Sequence, residues 1–144
     1  MHRKILAVLI LALTASYTAY ASTDLVIPAS TITQNASFIP AEVDGTKIEV
    51  IAVRDSQGSI RTAYNTCQVC YGSETAYYKQ SGNFLVCQNC GNRFSMNHVG
   101  IKSGGCNPYP ITESDRTLSA DSIIIPYESL VKAKVIFSGW RIEY

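Results

Sequence analysis

The sequence predicts a mainly β, antiparallel domain with two cysteine-bearing loops and a short C-terminal helix. Three observations carry that reading. Turn-forming groups punctuate the chain at Asp44-Gly45, Gln57-Gly58 and Ser81-Gly82-Asn83. The segments between them are short and rich in β-branched and aromatic residues. Only the last segment, "YESLVKAKVIFSGW", spaces its apolar residues by threes and fours, the period of a helix.

The elements follow in order. "LVIPASTITQNASF" (25 to 38) has short apolar islands in a Ser/Thr/Asn-rich background and reads as an early strand or extended lead-in. After Asp44-Gly45 a strand runs through Ile48, Val50 and Ala52, with Glu49, Ile51 and Val53 alternating against them. The pattern favours neither face as the buried one. Gln57-Gly58 turns the chain into a strand from Ile60 to Tyr64. Tyr77-Tyr78 and Phe84-Leu85-Val86 form a hairpin about Ser81-Gly82-Asn83, and "SIIIP" (122 to 126) is a last strand before the closing helix.

The N-terminus, "MHRKILAVLILALTASYTAYAS", carries His2, Arg3 and Lys4, then an apolar run from Ile5 to Ala15, then the small-x-small group Ala19-Tyr20-Ala21. That order is a secretory signal with cleavage after Ala21. A retained membrane anchor is the alternative, but spanning a bilayer takes about 20 mostly apolar residues, and Thr14, Ser16, Tyr17 and Thr18 dilute the run. Residues 1–21 are thus expected to be a signal segment and residues 22–144 a single metal-binding β domain placed outside the cytoplasm, in the periplasm or held at the membrane by that segment. Removing residues 1–21 takes Arg3 and Lys4 from the 12 basic residues and leaves 10 against 11 acidic ones. A net charge near −1 without a basic run offers no footprint for nucleic acid.

The chemistry lies in five cysteines, Cys67, Cys70, Cys87, Cys90 and Cys106. Cys67-x-x-Cys70 and Cys87-x-x-Cys90 are paired motifs joined by the hairpin, which would set their turns side by side. Four thiolates converging on one point suit zinc or iron–sulfur chemistry, because soft sulfur ligands select those centres. Covalent haem is excluded, since Tyr71 and Gly91 stand where a histidine is required. A thioredoxin-type pair calls for a βαβ setting, which this doubled β context lacks. Disulfides are the other reading for an exported chain, but five is odd and leaves one thiol over. Cys106, in "SGGCNPYP", is open to three readings: a fifth, alternative ligand, a thiol on a covering loop, or an inert buried residue. His98, Arg61, Arg93 and the tyrosines near the motifs read as local or surface residues. No nucleophile elbow or supported carboxylate pair marks a hydrolase.

"NTCQVCY", "CQNCGNRF" and "GGCNP", within a stretch from about residue 38 to 137, closely resemble the FtrD-like family of exported or membrane-linked iron–sulfur proteins. The resemblance implies an iron–sulfur cluster on Cys67, Cys70, Cys87 and Cys90, with Cys106 as a further candidate, and a membrane or periplasmic redox or iron-transport protein as partner. A more distant likeness is to Rieske domains, whose two ligand loops sit on an antiparallel β scaffold. Cys70 and Cys90 stand where that pattern has histidines, and His98 is the one histidine outside the signal segment, so two-histidine ligation is impossible here. The implied function is electron transfer serving ferrous-iron uptake or a membrane redox system, by a carrier more than by a stand-alone enzyme. The competing reading is a zinc-stabilised interaction module without redox activity.

Overall fold

The structure, a computed structural model, describes residues 23–141. The expected signal segment lies outside the described residues. Among the described residues, no helix is long and apolar enough to cross a membrane.

The centre of the fold is a four-stranded antiparallel sheet. Its strands β2 (Ser37–Val43), β3 (Thr46–Arg54), β4 (Ile60–Cys67) and β8 (Pro108–Ile111) lie in the spatial order β2-β3-β4-β8. Asp44 (φ 47) and Gly45 (φ 76) both take positive φ between β2 and β3, as a tight hairpin turn requires. The two alternating sets on β3 are both buried, which resolves the ambiguity of the sequence pattern. Ile48, Val50 and Ala52 enter one core, with Tyr64 of β4, and Ile51 and Val53 enter a second core, with Ala63 and Cys67 of β4. The β3–β4 layer therefore separates two cores, which is why its sequence is nearly continuous in apolar residues.

The first core is closed by β1 (Leu25–Pro28), β10 (Ser122–Ile125) and α1 (Tyr127–Ala133). β1 and β10 pair antiparallel from Leu25↔Ile125 to Pro28↔Ser122, with the short β9 (Thr117–Leu118) on the other side of β10. Hence "LVIP" is a strand rather than a loose lead-in. α1 follows Pro126, whose fixed φ suits a helix entry. It presents Leu130 and Ala133 to the core, and the Tyr64 hydroxyl donates to the carbonyl of Ser129 at 3.0 Å. The helix tightens to a 3₁₀ turn over Lys134–Phe137, which carries Phe137 inward beside Trp140.

The second core belongs to the cysteines. β5 (Tyr78–Ser81), β6 (Phe84–Cys87) and β7 (Arg93–Ser95) form a small antiparallel sheet, with Tyr78 opposite Cys87 and Leu85 opposite Phe94. Tyr78, Leu85, Phe94, Met96 and Val99 pack beneath Cys67 and Cys87. The hairpin of the sequence reading is β5–β6, and it sets the two Cys-x-x-Cys turns side by side.

The C-terminal segment is bolted to the first of these turns. Arg141 N–H donates to the Glu74 carbonyl at 2.9 Å, and a Cβ on Gly139 would stand 2.5 Å from the carbonyl oxygen of Gly72. Neither backbone can yield cheaply, so Gly139→Ala is expected to cost about 1–3 kcal/mol. The checks are the thermal unfolding midpoint and metal retention. Gly45→Ala meets no atom within 4 Å, although its φ of +76 adds backbone strain of its own; it should leave metal retention unchanged, which separates loss of the loop contact from general destabilisation.

Candidate metal centre

Cys67 ends β4, opposite Pro108 past an irregularity in the β4–β8 register, and Cys87 ends β6 opposite Tyr78, so strand pairing fixes one cysteine of each motif. Cys70 and Cys90 lie one turn further on, in loops. Gly91 directly after Cys90 has φ 72, and its N–H donates to the Cys87 carbonyl at 2.9 Å, closing the second turn. In the first turn the Ser73 N–H donates to the Cys70 carbonyl at 2.7 Å. The Sγ atoms of Cys67, Cys70, Cys87 and Cys90 all lie within 4.8 Å of one another. Cys67 and Cys87 are buried, Cys70 is half-buried and Cys90 is exposed, so the group sits at the edge of the second core with one side open to solvent. All five cysteines are free of disulfides, which separates the structure from the disulfide reading.

The two loops are clasped by residues that the sequence did not single out. The Asn89 side-chain oxygen accepts from the hydroxyls of Ser73 at 2.7 Å and Thr75 at 3.3 Å, joining the second turn to the first. Gln68 ties the first turn to the loop bearing Cys106. Its Oε1 accepts from Gly104 N–H at 3.0 Å and Ser103 Oγ at 3.2 Å, and its Nε2 donates to the Pro108 carbonyl at 3.1 Å. The Cys106 carbonyl accepts from Asn92 Nδ2 at 2.7 Å and from the Tyr78 hydroxyl at 2.8 Å. Amides inside a Cys-x-x-Cys turn are the only cue the sequence offered for Gln68 and Asn89; their partners come from distant strands.

Electrostatics follow from this packing. Burial pushes the Cys67 thiol up, but the Tyr78 hydroxyl and the N–H groups of Cys70 and Val69 outweigh it, so its net direction is down. The Asn92 N–H leads the causes that lower Cys90. Burial raises Cys70 and pushes Cys87 up to about 12, despite N–H groups aimed at Cys87 from Cys90 and Asn89. Contact with the Cys90 sulfur pushes Cys106 up to about 11. The sulfurs thus oppose one another's ionisation while backbone donors stand ready for several thiolates. A cation removes that conflict, because its charge favours every thiolate at once. Soft donors, four in number, converging, with N–H groups around them: the residues present fit a thiolate-bound metal centre.

Cys106 packs against the second core beside this group, in side-chain contact with Cys90, but is not one of the four mutually close sulfurs. His98 ends a 3₁₀ turn (Met96–His98) with its ring edge-on to Phe94 at 6.2 Å. Arg61 is paired with Asp55 at 3.0 Å, and Arg93 lies over the Phe84 ring at 4.5 Å. Five surface cavities among the described residues have no cysteine in their lining.

No curated protein matches the chain. Among solved structures it is similar to the quaternary ammonium Rieske monooxygenase CntA in complex with an inhibitor, at 14% identity and a TM-score of 0.48, over 76% of this chain and 32% of that one. The chain therefore spans about a third of that protein's length. Residues 32–137 match the family described as "Membrane iron-sulfur containing protein FtrD-like", and the four gathered cysteines fit the iron–sulfur centre that this description names. On that match, which takes in most of its length, the chain belongs to the FtrD-like family.

Proposed function

We propose that the protein is an exported electron carrier, whose iron–sulfur centre on Cys67, Cys70, Cys87 and Cys90 exchanges single electrons with a membrane or periplasmic partner of a ferrous-iron uptake or redox system. The observation that carries this reading is the placement of the four sulfurs: anchored in a core through Cys67 and Cys87, yet reaching the surface through Cys90. An electron carrier needs a rigid, largely dry centre with one accessible edge and no substrate cavity. Val69 and Tyr71, both exposed beside Cys70, give that edge the small apolar rim that suits brief docking.

When bound, the centre supplies the one-electron couple. This chain's residues do the rest. The β4 and β6 ends hold two sulfurs rigidly, Asn89 and Gln68 fix the loops that bring the other two, and the N–H groups of Val69, Cys70, Asn89, Cys90 and Asn92 offset sulfur charge.

A zinc-stabilised binding module is the second reading, and one observation favours it. Sulfurs around a single tetrahedral ion, with bonds of about 2.3 Å, stand roughly 3.8 Å apart, and the observed limit of 4.8 Å is close to that. Anaerobic purification decides between the two. The expected protein contains iron and sulfide and has visible charge-transfer bands that bleach on reduction. Colourless protein with one zinc per chain would leave the binding module, and metal-free protein would remove both.

A further inference from the structure

Four sulfurs gather at the centre and a fifth, that of Cys106, lies beside them. Cys106 is brought in by a loop in which Gly104 (φ 85) and Gly105 (φ 62) both take the left-handed conformation, followed by Pro108 pairing with Cys67 in β8. That loop is tied down on three sides. Gln68 holds it to the first cysteine turn, Asn92 holds it to the second, and the Tyr78 hydroxyl holds it to β5. These bonds fix the backbone of the loop at the Cys106 carbonyl and the Gly104 N–H, and the Cys106 thiol packs against the second core in contact with the sulfur of Cys90.

Cys90 is the least secured of the four gathered cysteines. Cys67 and Cys87 are strand residues with buried side chains, and Cys70 is half-buried, whereas Cys90 is exposed in a loop. The spare sulfur therefore lies beside the most exposed of the four ligands, one that a small loop movement can release.

We propose that Cys106 is a reserve ligand that exchanges with Cys90, so that the fourth coordination position of the centre is shared between two thiols. The exchange leaves the charge of the centre unchanged: one thiolate leaves as the other arrives, and the proton on the incoming thiol passes to the departing sulfur, with which it is already in contact. No electron is gained or lost. The consequence is a centre that opens one side without losing its metal, which is useful where a partner or an incoming ion must approach the exposed edge. This inference rests on the metal-centre reading but not on which metal is held.

The experiment uses the full chain purified without oxygen, with iron, sulfide and zinc measured per folded protein and folding checked by circular dichroism. The wild type tests the metal-centre reading by itself, since a metal-free wild type ends that reading and the exchange together. Given a loaded wild type, Cys90→Ala and Cys106→Ala are each expected to keep more than half of its metal. Cys87→Ala and the double variant Cys90→Ala/Cys106→Ala are expected to lose nearly all of it. A Cys90→Ala protein as empty as Cys87→Ala, or a double variant as full as Cys90→Ala, overturns the exchange while leaving the centre standing. Alkylation of the loaded wild type gives a readout that does not depend on any variant folding. Labelling followed by peptide mapping should find one label per chain, divided between Cys90 and Cys106. Complete labelling of Cys106 with Cys90 fully protected overturns the proposal.

Discussion

Cys87→Ala is expected to abolish metal binding and to cost about 4 kcal/mol or more of stability. Cys87 is buried at the end of β6, opposite Tyr78, and no other thiol stands behind it. Its removal leaves three sulfurs and a small void inside the second core, and a structural metal contributes its binding energy to folding directly. Unfolding followed by circular dichroism, with and without a chelator, measures the effect. Wild type treated with chelator should fall toward the stability of the variant, while the variant should not respond. The pH dependence has a definite sign. Without a cation Cys87 is pushed up to about 12 and Cys70 is raised, so these thiols carry protons at neutral pH and must release them as metal binds. Metal affinity therefore falls as pH falls, and uptake by the empty protein releases protons, which a weakly buffered titration detects. An affinity that does not change with pH would contradict this account of the site.

Tyr78→Phe is expected to lower the reduction potential of an iron-loaded centre by roughly 40 mV, with little change in metal content. The Tyr78 hydroxyl lies within hydrogen-bonding reach of the Cys67 sulfur and donates to the Cys106 carbonyl at 2.8 Å. It has one proton to give. Reduction adds negative charge to the ligating sulfurs, which draws that proton from the Cys106 carbonyl toward Cys67, so loss of the hydroxyl penalises the reduced state. A difference of about 1 kcal/mol between the two states, the typical net worth of one hydrogen bond, corresponds to roughly 40 mV for one electron. Anaerobic voltammetry of both proteins tests it. A potential that does not move would assign Tyr78 to packing alone, since Phe fills nearly the same volume. The Asn92 side chain still holds the Cys106 carbonyl in the variant, so the loop itself is expected to stay in place.

The elements legible in the sequence were those with local causes. Asp44-Gly45 and Ser81-Gly82 demand turns, β-branched runs flank them, and the three-and-four spacing from Tyr127 onward gives the closing helix. β8 was not legible, because "PYPI" contains two prolines and its strand identity comes from pairing with β4 across more than 40 residues. β7 has three residues and exists only through its contact with β6. The face of β3 that would be buried was undecidable locally for a physical reason: the strand is a partition, and each face meets a different core.

The same division runs through the site. Spacing alone determined that Cys67, Cys70, Cys87 and Cys90 form two turns able to meet, and that thiolate chemistry suits them. Tertiary structure decided what spacing cannot express: that Cys67 and Cys87 are buried while Cys90 is exposed, that Asn89 and Gln68 lock the turns together, and that Tyr78 lies between Cys67 and the Cys106 loop. A Cys-x-x-Cys turn is a local geometry, set by a few backbone dihedrals and written in adjacent residues. The depth of each sulfur, the donors that face it and the position of the fifth thiol depend on strands brought together from across the chain, and those are properties of packing.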